Sequence, residues 1–177
     1  MRRGGSFMAK NIVDYRNYID ETIKAFDEER VLLASCGEKG LPNVMAIGWG
    51  TIGIIWRKPI FVVLVRPSRY TYRLMEETGE FTVNIAPPEL KEVVQYCGTV
   101  SGRDHNKFKE KGLTAIPSKK IKTPMIKECL LHFECRVVHK NDLIPSELET
   151  SIIPTLYPKG DFHRVYFGEI LACQYGS

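Results

Sequence analysis

Residues 43–65 read NVMAIGWGTIGIIWRKPIFVVLV, from Asn43 to Val65. The segment Asn43 to Trp56 predicts one long strand or a pair of strands, rich in apolar and β-branched residues. Gly48, Gly50 and Gly53 interrupt it. Glycine weakens a strand, so its repetition points to a bend, a bulge or something packed close to the backbone. Arg57-Lys58-Pro59 ends the run, and Ile60 to Val65 predicts an apolar strand buried on both faces.

Outward from this segment the texture stays mostly β. Residues 11–29 read as an amphipathic helix capped by Asp14, with Tyr15, Tyr18, Ile19, Thr22, Ile23 and Phe26 at helical spacing. Val31 to Cys36 predicts a strand, followed by a hairpin-like turn at 37–40. Downstream of the opening segment, Ser68 is placed to cap a helix that runs to Met75 or Glu76 and stops at Gly79. Phe81 to Ile85 predicts a strand, Pro87-Pro88 opens a helix to about Tyr96, and Asp104 is placed to cap a short helix to Lys111. Glu128 to His139 and His163 to Tyr175 predict long strands. Residues 141–160 form a polar, proline-bearing connection, and loops of that length are often functional.

Strands and helices do not alternate regularly, which argues against a doubly wound parallel sheet. The expected class is mainly β with helical insertions, a largely antiparallel barrel. The length of 177 residues is expected to form a single domain, 1–177, with 1–10 a frayed tail. No run approaches the roughly 20 apolar residues that span a bilayer, and no apolar stretch follows Arg2-Arg3 to make a signal peptide. The net charge of +4 is modest, and the lysines from Lys107 to Lys127 come without a nucleic-acid-binding motif. No nucleic-acid or membrane partner is expected. The five cysteines show no C-x-x-C and no disulfide framework, which fits a reducing, cytoplasmic setting. No ligand pattern suggests a metal.

Two polar clusters carry the chemistry. In Arg66-Pro67-Ser68-Arg69-Tyr70-Thr71, side chains able to grip phosphate sit where a strand turns into a helix, whose free N–H groups favour an anion. The plain alternative is a capping Ser68 with solvated arginines. The second cluster is Ser101-Gly102-Arg103-Asp104-His105-Asn106-Lys107-Phe108, whose alternative is an ordinary loop and helix cap. Trp49 reads either as a ligand-flanking ring or as a core or interface tryptophan. Cys97 reads as a small buried residue near the second cluster.

Taken in order, NVMAIGWGTIG, RPSRYTYRLMEETGEFTVNI, CGTVSGRDHNKFKEKGLT and DFHRVYFGEI resemble the flavin reductase-like family, flavoredoxin-type members above all, over about residues 28–175. The resemblance implies an antiparallel split β-barrel that binds FMN, with FAD the less expected flavin. It implies that Asn43, Met45, Ala46, Ile47 and Trp49 line the flavin ring. It places Arg66, Ser68, Tyr70 and Thr71 at the phosphate and ribityl end, with Asn84, Ser101, Gly102 and Lys107. His163 would lie near the nicotinamide or flavin, although this chain carries one residue more than the family's Gly-Asp-His. The implied activity is an oxidoreductase passing electrons from NAD(P)H through FMN to a flavin, a metal complex or a protein. The other implied activity is an electron carrier reduced by a redox-protein partner. A homodimer is the implied assembly.

Overall fold

The computed structural model describes residues 10–176, so most of the expected tail lies outside the described residues. Lys10 is firmly tied: its Nζ donates to the carbonyls of Cys129 at 2.7 Å and Gly176 at 2.8 Å. The elements in chain order are β1 (Asn11–Ile12), α1 (Ile19–Asp27), β2 (Val31–Cys36), β3 (Pro42–Ala46), β4 (Gly50–Ile55) and β5 (Lys58–Val65). There follow α2 (Tyr70–Thr78), β6 (Glu80–Ile85), α3 (Lys91–Thr99), α4 (Lys107–Glu110), β7 (Ala115–Ile116) and β8 (Met125–Ile126). The chain finishes with β9 (Leu131–Asp142), α5 (Ile152–Leu156) and β10 (Arg164–Tyr175).

One sheet runs in the order β3-β2-β6-β9-β10-β5-β4, with β1 added to β10 and β7–β8 a separate pair. Every pairing is antiparallel. The end strands β3 and β4 are not paired with each other, so the barrel is split, and the glycine-rich link Ile47–Trp49 carries the chain across the gap. Helix α1 packs against β4 at the edge of that gap. Gly50 makes room for it, because a Cβ there would sit 2.7 Å from Phe26 Cζ.

The barrel interior is built from alternating side chains of Val31, Leu33, Phe61, Val63, Phe81, Val83, Phe133 and Tyr166. A second apolar layer packs α3, α4 and β8 on the outside of β2 and β3, through Leu32, Ala34, Val44, Val94, Phe108 and Ile126. The strands buried on both faces therefore include β2 and β6, not β5. On β5, Val62 and Leu64 are only half-buried, because no helical layer covers them.

Other expectations shift for tertiary reasons. The helix expected over 11–29 starts at Ile19, since Asn11 and Ile12 pair with the open end of β10. Asp14 does cap, but it caps a 3-10 turn at Tyr15–Tyr18, accepting from the Arg16 N–H. The segment 43–56 is two strands, and Lys58 and Pro59 already belong to the next. Trp56 and Arg57 form the two-residue turn between β4 and β5, both with positive φ (53° and 59°), the backbone that matches strand twist in tight hairpins. The short helix after residue 104 begins at Lys107 and is capped by Asn106, whose Oδ1 accepts from the Lys109 N–H at 3.1 Å.

Strand β10 carries two register shifts against β9, one of them at Phe167/Gly168. At Gly168 a Cβ would enter the Phe81 ring and lie 2.8 Å from Cys135 Cβ. Both neighbours are fully buried, so neither can retreat. Gly168→Ala is expected to destabilise the fold by roughly 1–3 kcal/mol through overpacking, read from denaturant unfolding.

Between β6, β9, β10 and the segment 118–126 lies a buried polar layer. Asn84 Nδ2 donates to Thr82 Oγ1 at 2.9 Å, and its Oδ1 accepts from the Ile126 N–H and from His132 Nδ1. Glu134 accepts from the Lys119 and Lys120 N–H groups and from Gln174. His132 Nε2 is buried with no partner, and burial pushes this imidazole down to about 3. An unfolded histidine titrates near 6.5, so between these values the unfolded chain binds the extra proton. Stability is thus intact above about pH 6.5 and falls as the pH drops toward 3. Urea unfolding at pH 7 and pH 4.5 is expected to differ by on the order of 2 kcal/mol from this residue alone. A flat profile would contradict a neutral His132.

Candidate functional site

Helix α2 starts after Arg69, and the turn before it is closed by the Arg69 N–H donating to the Arg66 carbonyl at 3.0 Å. Thr71, in the first turn, is buried and its Oγ1 accepts from Asn43 Nδ2 at 2.8 Å. The same Nδ2 lies 3.3 Å from Ser35 Oγ, so Asn43 joins β3 to β2 and α2. The loop 100–106 presses Gly102 against this amide. A Cβ on Gly102 would coincide with Asn43 Oδ1 and lie 3.0 Å from Tyr70 Cδ1. Lys107 follows on α4, 5% exposed, with Nζ donating to the Cys97 carbonyl at 2.7 Å. Burial, reinforced by Arg69, lowers its pKa, and two of its ammonium protons remain for another acceptor. Arg103 lies over the Tyr70 ring at 5.7 Å and donates to the Ser68 carbonyl at 3.0 Å. These groups surround a cavity of about 120 Å³ that Asn43, Ser68, Arg69, Tyr70, Thr71, Ser101, Gly102 and Lys107 line.

A second cavity, of about 170 Å³, continues from the first through Met45, Ala46 and Arg69, which line both. Its wall is Met45, Ala46, Ile47, Gly48, Trp49 and Leu64, with Arg66 and His163 at the rim. Strand β3 ends the sheet here, so its outer edge has no neighbouring strand. The Ile47 N–H donates to the Val31 carbonyl at 3.1 Å, and the antiparallel alternation then turns the Val44 and Ala46 backbone groups outward. Trp49 is 38% exposed and its ring lies 4.8 Å from that of His163. It forms cavity wall and not core. His163 Nδ1 pairs with the Tyr157 hydroxyl at 2.7 Å. Burial, aided by the Arg66 charge, pushes this imidazole down to about 4, so it is neutral at pH 7.

Ser68 lines the first cavity and Arg66 the second, but the side chains of both are engaged by the protein itself. Arg66 donates to the carbonyls of Leu156 at 2.9 Å and Asp161 at 3.1 Å, and its guanidinium lies over the Tyr157 ring at 4.8 Å. Ser68 does not cap α2. Its N–H and Oγ both donate to the Asp161 carboxylate, at 3.2 Å and 2.6 Å. Both residues therefore hold the segment 156–163 against the site. The guanidinium of Arg69 makes no hydrogen bond or ion pair to a described residue and stands at the junction of the two cavities.

Asn84 is not brought together with the other expected site residues. It lines neither cavity and all its amide bonds lie in the buried polar layer. Cys97 proves both buried and a cavity residue. Sequence reasoning missed Arg103, Tyr157 and Asp161 as site residues. The basic character of the second cluster pointed to Arg103, whereas nothing local marks Tyr157, which reaches the site by long-range packing.

The arrangement suits a molecule with an anionic end and a flat apolar body. Lys107, Arg69 and Arg103 supply positive charge beside hydroxyls and a helix start, and the β3 edge supplies an apolar wall with outward backbone groups.

A family model described as "Flavin reductase like domain" matches residues 28–177. An uncharacterised protein of Archaeoglobus fulgidus is 39% identical over 146 residues, covering 82% of this chain and 71% of that protein. The crystal structure of flavoredoxin from Methanosarcina acetivorans is 33% identical, covers 83% of this chain and 67% of its own, and has a TM-score of 0.63. The FMN-binding domain of a flavin reductases-like enzyme from Shewanella baltica OS155 shares the fold, with a TM-score of 0.69 at 16% identity over 97% of this chain and 80% of that one.

Proposed function

The chain belongs to the flavin reductase-like family and has its FMN-binding split-barrel fold, and from that premise we propose an FMN-dependent oxidoreductase that takes electrons from NADH or NADPH and passes them to a flavin, a metal complex or a protein. The observation that carries this reading is the continuity of the two cavities across Met45, Ala46 and Arg69, which joins a cationic, hydroxyl-rich end to a flat apolar one. When bound, FMN supplies the hydride and electron transfer chemistry. Lys107, Arg69 and the Ser101 and Thr71 hydroxyls hold the phosphate end. Gly102 lets the loop close on Asn43, which fixes the depth of that end. Met45 to Trp49 and Leu64 would form the wall that holds the ring and exclude water from one side, and the outward Ala46 backbone groups would offer it a donor and an acceptor. No side chain need act as acid or base.

The fit extends to assembly. Even taken together the two cavities, about 120 Å³ and 170 Å³, only approach the lower end of the roughly 300–1,000 Å³ of a pocket that encloses a ligand of this size, which would leave a face of the ligand for another chain to cover. A homodimer whose second copy covers that face completes the site in this reading, and sedimentation with and without FMN tests it. The five cysteines are all buried and unpaired, in keeping with a reducing cytoplasmic compartment. Among the described residues no helix is long and apolar enough to cross a membrane.

The test is the visible spectrum of purified protein supplied with FMN, before and after anaerobic NADH or NADPH. A flavin spectrum bleached rapidly by either nicotinamide is expected. Protein that stays colourless and takes up no FMN would overturn the reading. The 33% identity to a flavoredoxin favours a second reading, an electron carrier reduced by a redox protein. Slow bleaching by both nicotinamides but fast reduction by such a protein would select it.

A further inference from the structure

We propose that Tyr157 is a positioning residue of the ring-end cavity: its hydroxyl donates to His163 Nδ1, which places the imidazole proton on Nε2 and makes that atom a fixed, uncharged donor facing the cavity's occupant. The occupant's identity rests on the flavin reading above, whereas the position of the proton does not.

The Tyr157 hydroxyl belongs to a residue only 3% exposed; its side-chain partner is His163 Nδ1 at 2.7 Å, and the His163 backbone N–H donates to the same oxygen, which leaves the hydroxyl hydrogen to be placed on an acceptor. A buried hydroxyl that donates to nothing loses a bond it would make in water. Donation to Nδ1 meets that need, and Nδ1 must then present its lone pair. The opposite arrangement, with Nδ1–H donating, would strand the hydroxyl hydrogen. Tyr157 cannot swing to another acceptor. Phe162 stacks on its ring at 4.7 Å, Trp49 meets its edge at 6.3 Å, and the Arg66 guanidinium lies over it.

The other end of the imidazole is free. His163 Nε2 has no partner among the described residues, yet the one enclosed and unpartnered side-chain atom among them is His132 Nε2. His163 Nε2 therefore keeps exposed surface, and His163 is one of the residues that line the second cavity. Arg66 and Arg69 stand close enough to oppose a second proton on the ring, while the Asp161 carboxylate favours one. Burial sides with the arginines, and the ring stays neutral. The class of atom this geometry accepts is a carbonyl oxygen or a pyridine-type nitrogen on a flat heteroaromatic. The nearby cations favour one that carries partial negative charge.

Long-range nitrogen–proton NMR of the His163 ring decides the question in cofactor-free protein at pH 7, with His163→Gln identifying its signals. A single tautomer protonated on Nε2 is expected. Tyr157→Phe keeps the ring contacts and removes only the hydroxyl, so it is expected to give a mixture of both tautomers and about tenfold weaker FMN binding. Wild-type protein with the proton on Nδ1, or a Tyr157→Phe protein with an unchanged tautomer, would overturn the proposal. The expected tautomer with an Nε2 signal indifferent to FMN and to riboflavin would instead overturn the flavin reading.

Discussion

A Gly102→Val protein is expected to fold normally and to bind FMN at least about a hundredfold more weakly than wild type. The reason is space. A side chain at this position would coincide with Asn43 Oδ1, and the Tyr70 ring closes the other side at 3.0 Å. Asn43 has nowhere to go, because Thr71 and Ser35 hold its amide from the opposite side. The loop 100–106 must move instead, carrying Ser101 and Arg103 away from the phosphate end. That loop lies at the surface, so the core is left intact. Titration of FMN against protein fluorescence measures the loss, with a thermal melt to verify folding. An unchanged affinity would mean that this loop does not close on the ligand.

The second large effect separates two kinds of positive charge. Lys107→Met is expected to weaken FMN binding by roughly 10- to 100-fold while riboflavin binding changes little, since a charge-assisted bond to phosphate is worth about 1.5–3 kcal/mol. Methionine retains most of the buried stem, which keeps the packing around α4. Arg66→Ala is expected to behave differently. Its guanidinium is already committed to the Leu156 and Asp161 carbonyls and the Tyr157 ring. Its removal should weaken FMN and riboflavin alike and speed amide exchange in 156–163. If Arg66→Ala instead removed the preference for FMN over riboflavin, the phosphate role implied by the family resemblance would be restored.

Of these variants only Arg66→Ala probes a part of the site that was poorly legible in the sequence. The strands were legible because β-branched and apolar runs bounded by glycine and proline leave few other options, as Val31–Cys36 and Phe81–Ile85 illustrate. The turn at Trp56–Arg57 was not, since neither residue is one that tight hairpins usually demand. Asn11 and Ile12 carry no strong local preference, and only the open end of β10 makes them a strand. Thr71, Gly102 and Lys107 were readable as one end of the site because each belongs to a compact motif, whereas Asn43, expected along the flavin ring, lines the first cavity with them. Arg66 and Ser68 sit in the same kind of motif, yet Asp161, nearly a hundred residues downstream, is what they bind. A carboxylate delivered by a residue at φ 57° has no signature in the chain. The place of Asn84 in the buried polar layer was hidden for a similar reason, because its neighbours His132 and Ile126 come from other elements.

The gap between β3 and β4 has a consequence for how the protein keeps to itself. Strand β4 is an outermost strand with neither charge nor proline in it, and Ile54 on it is 63% exposed. Unpaired backbone of that composition invites strand addition from another molecule, the first step of aggregation. In a closed barrel the ring of hydrogen bonds removes the hazard. Here the protection falls to the strand-weakening Gly50 and Gly53 and to α1, whose Phe26 seats against Gly50. The amphipathic helix that packs on β4 is thus also a guard, and loosening it would leave that edge open to strand addition.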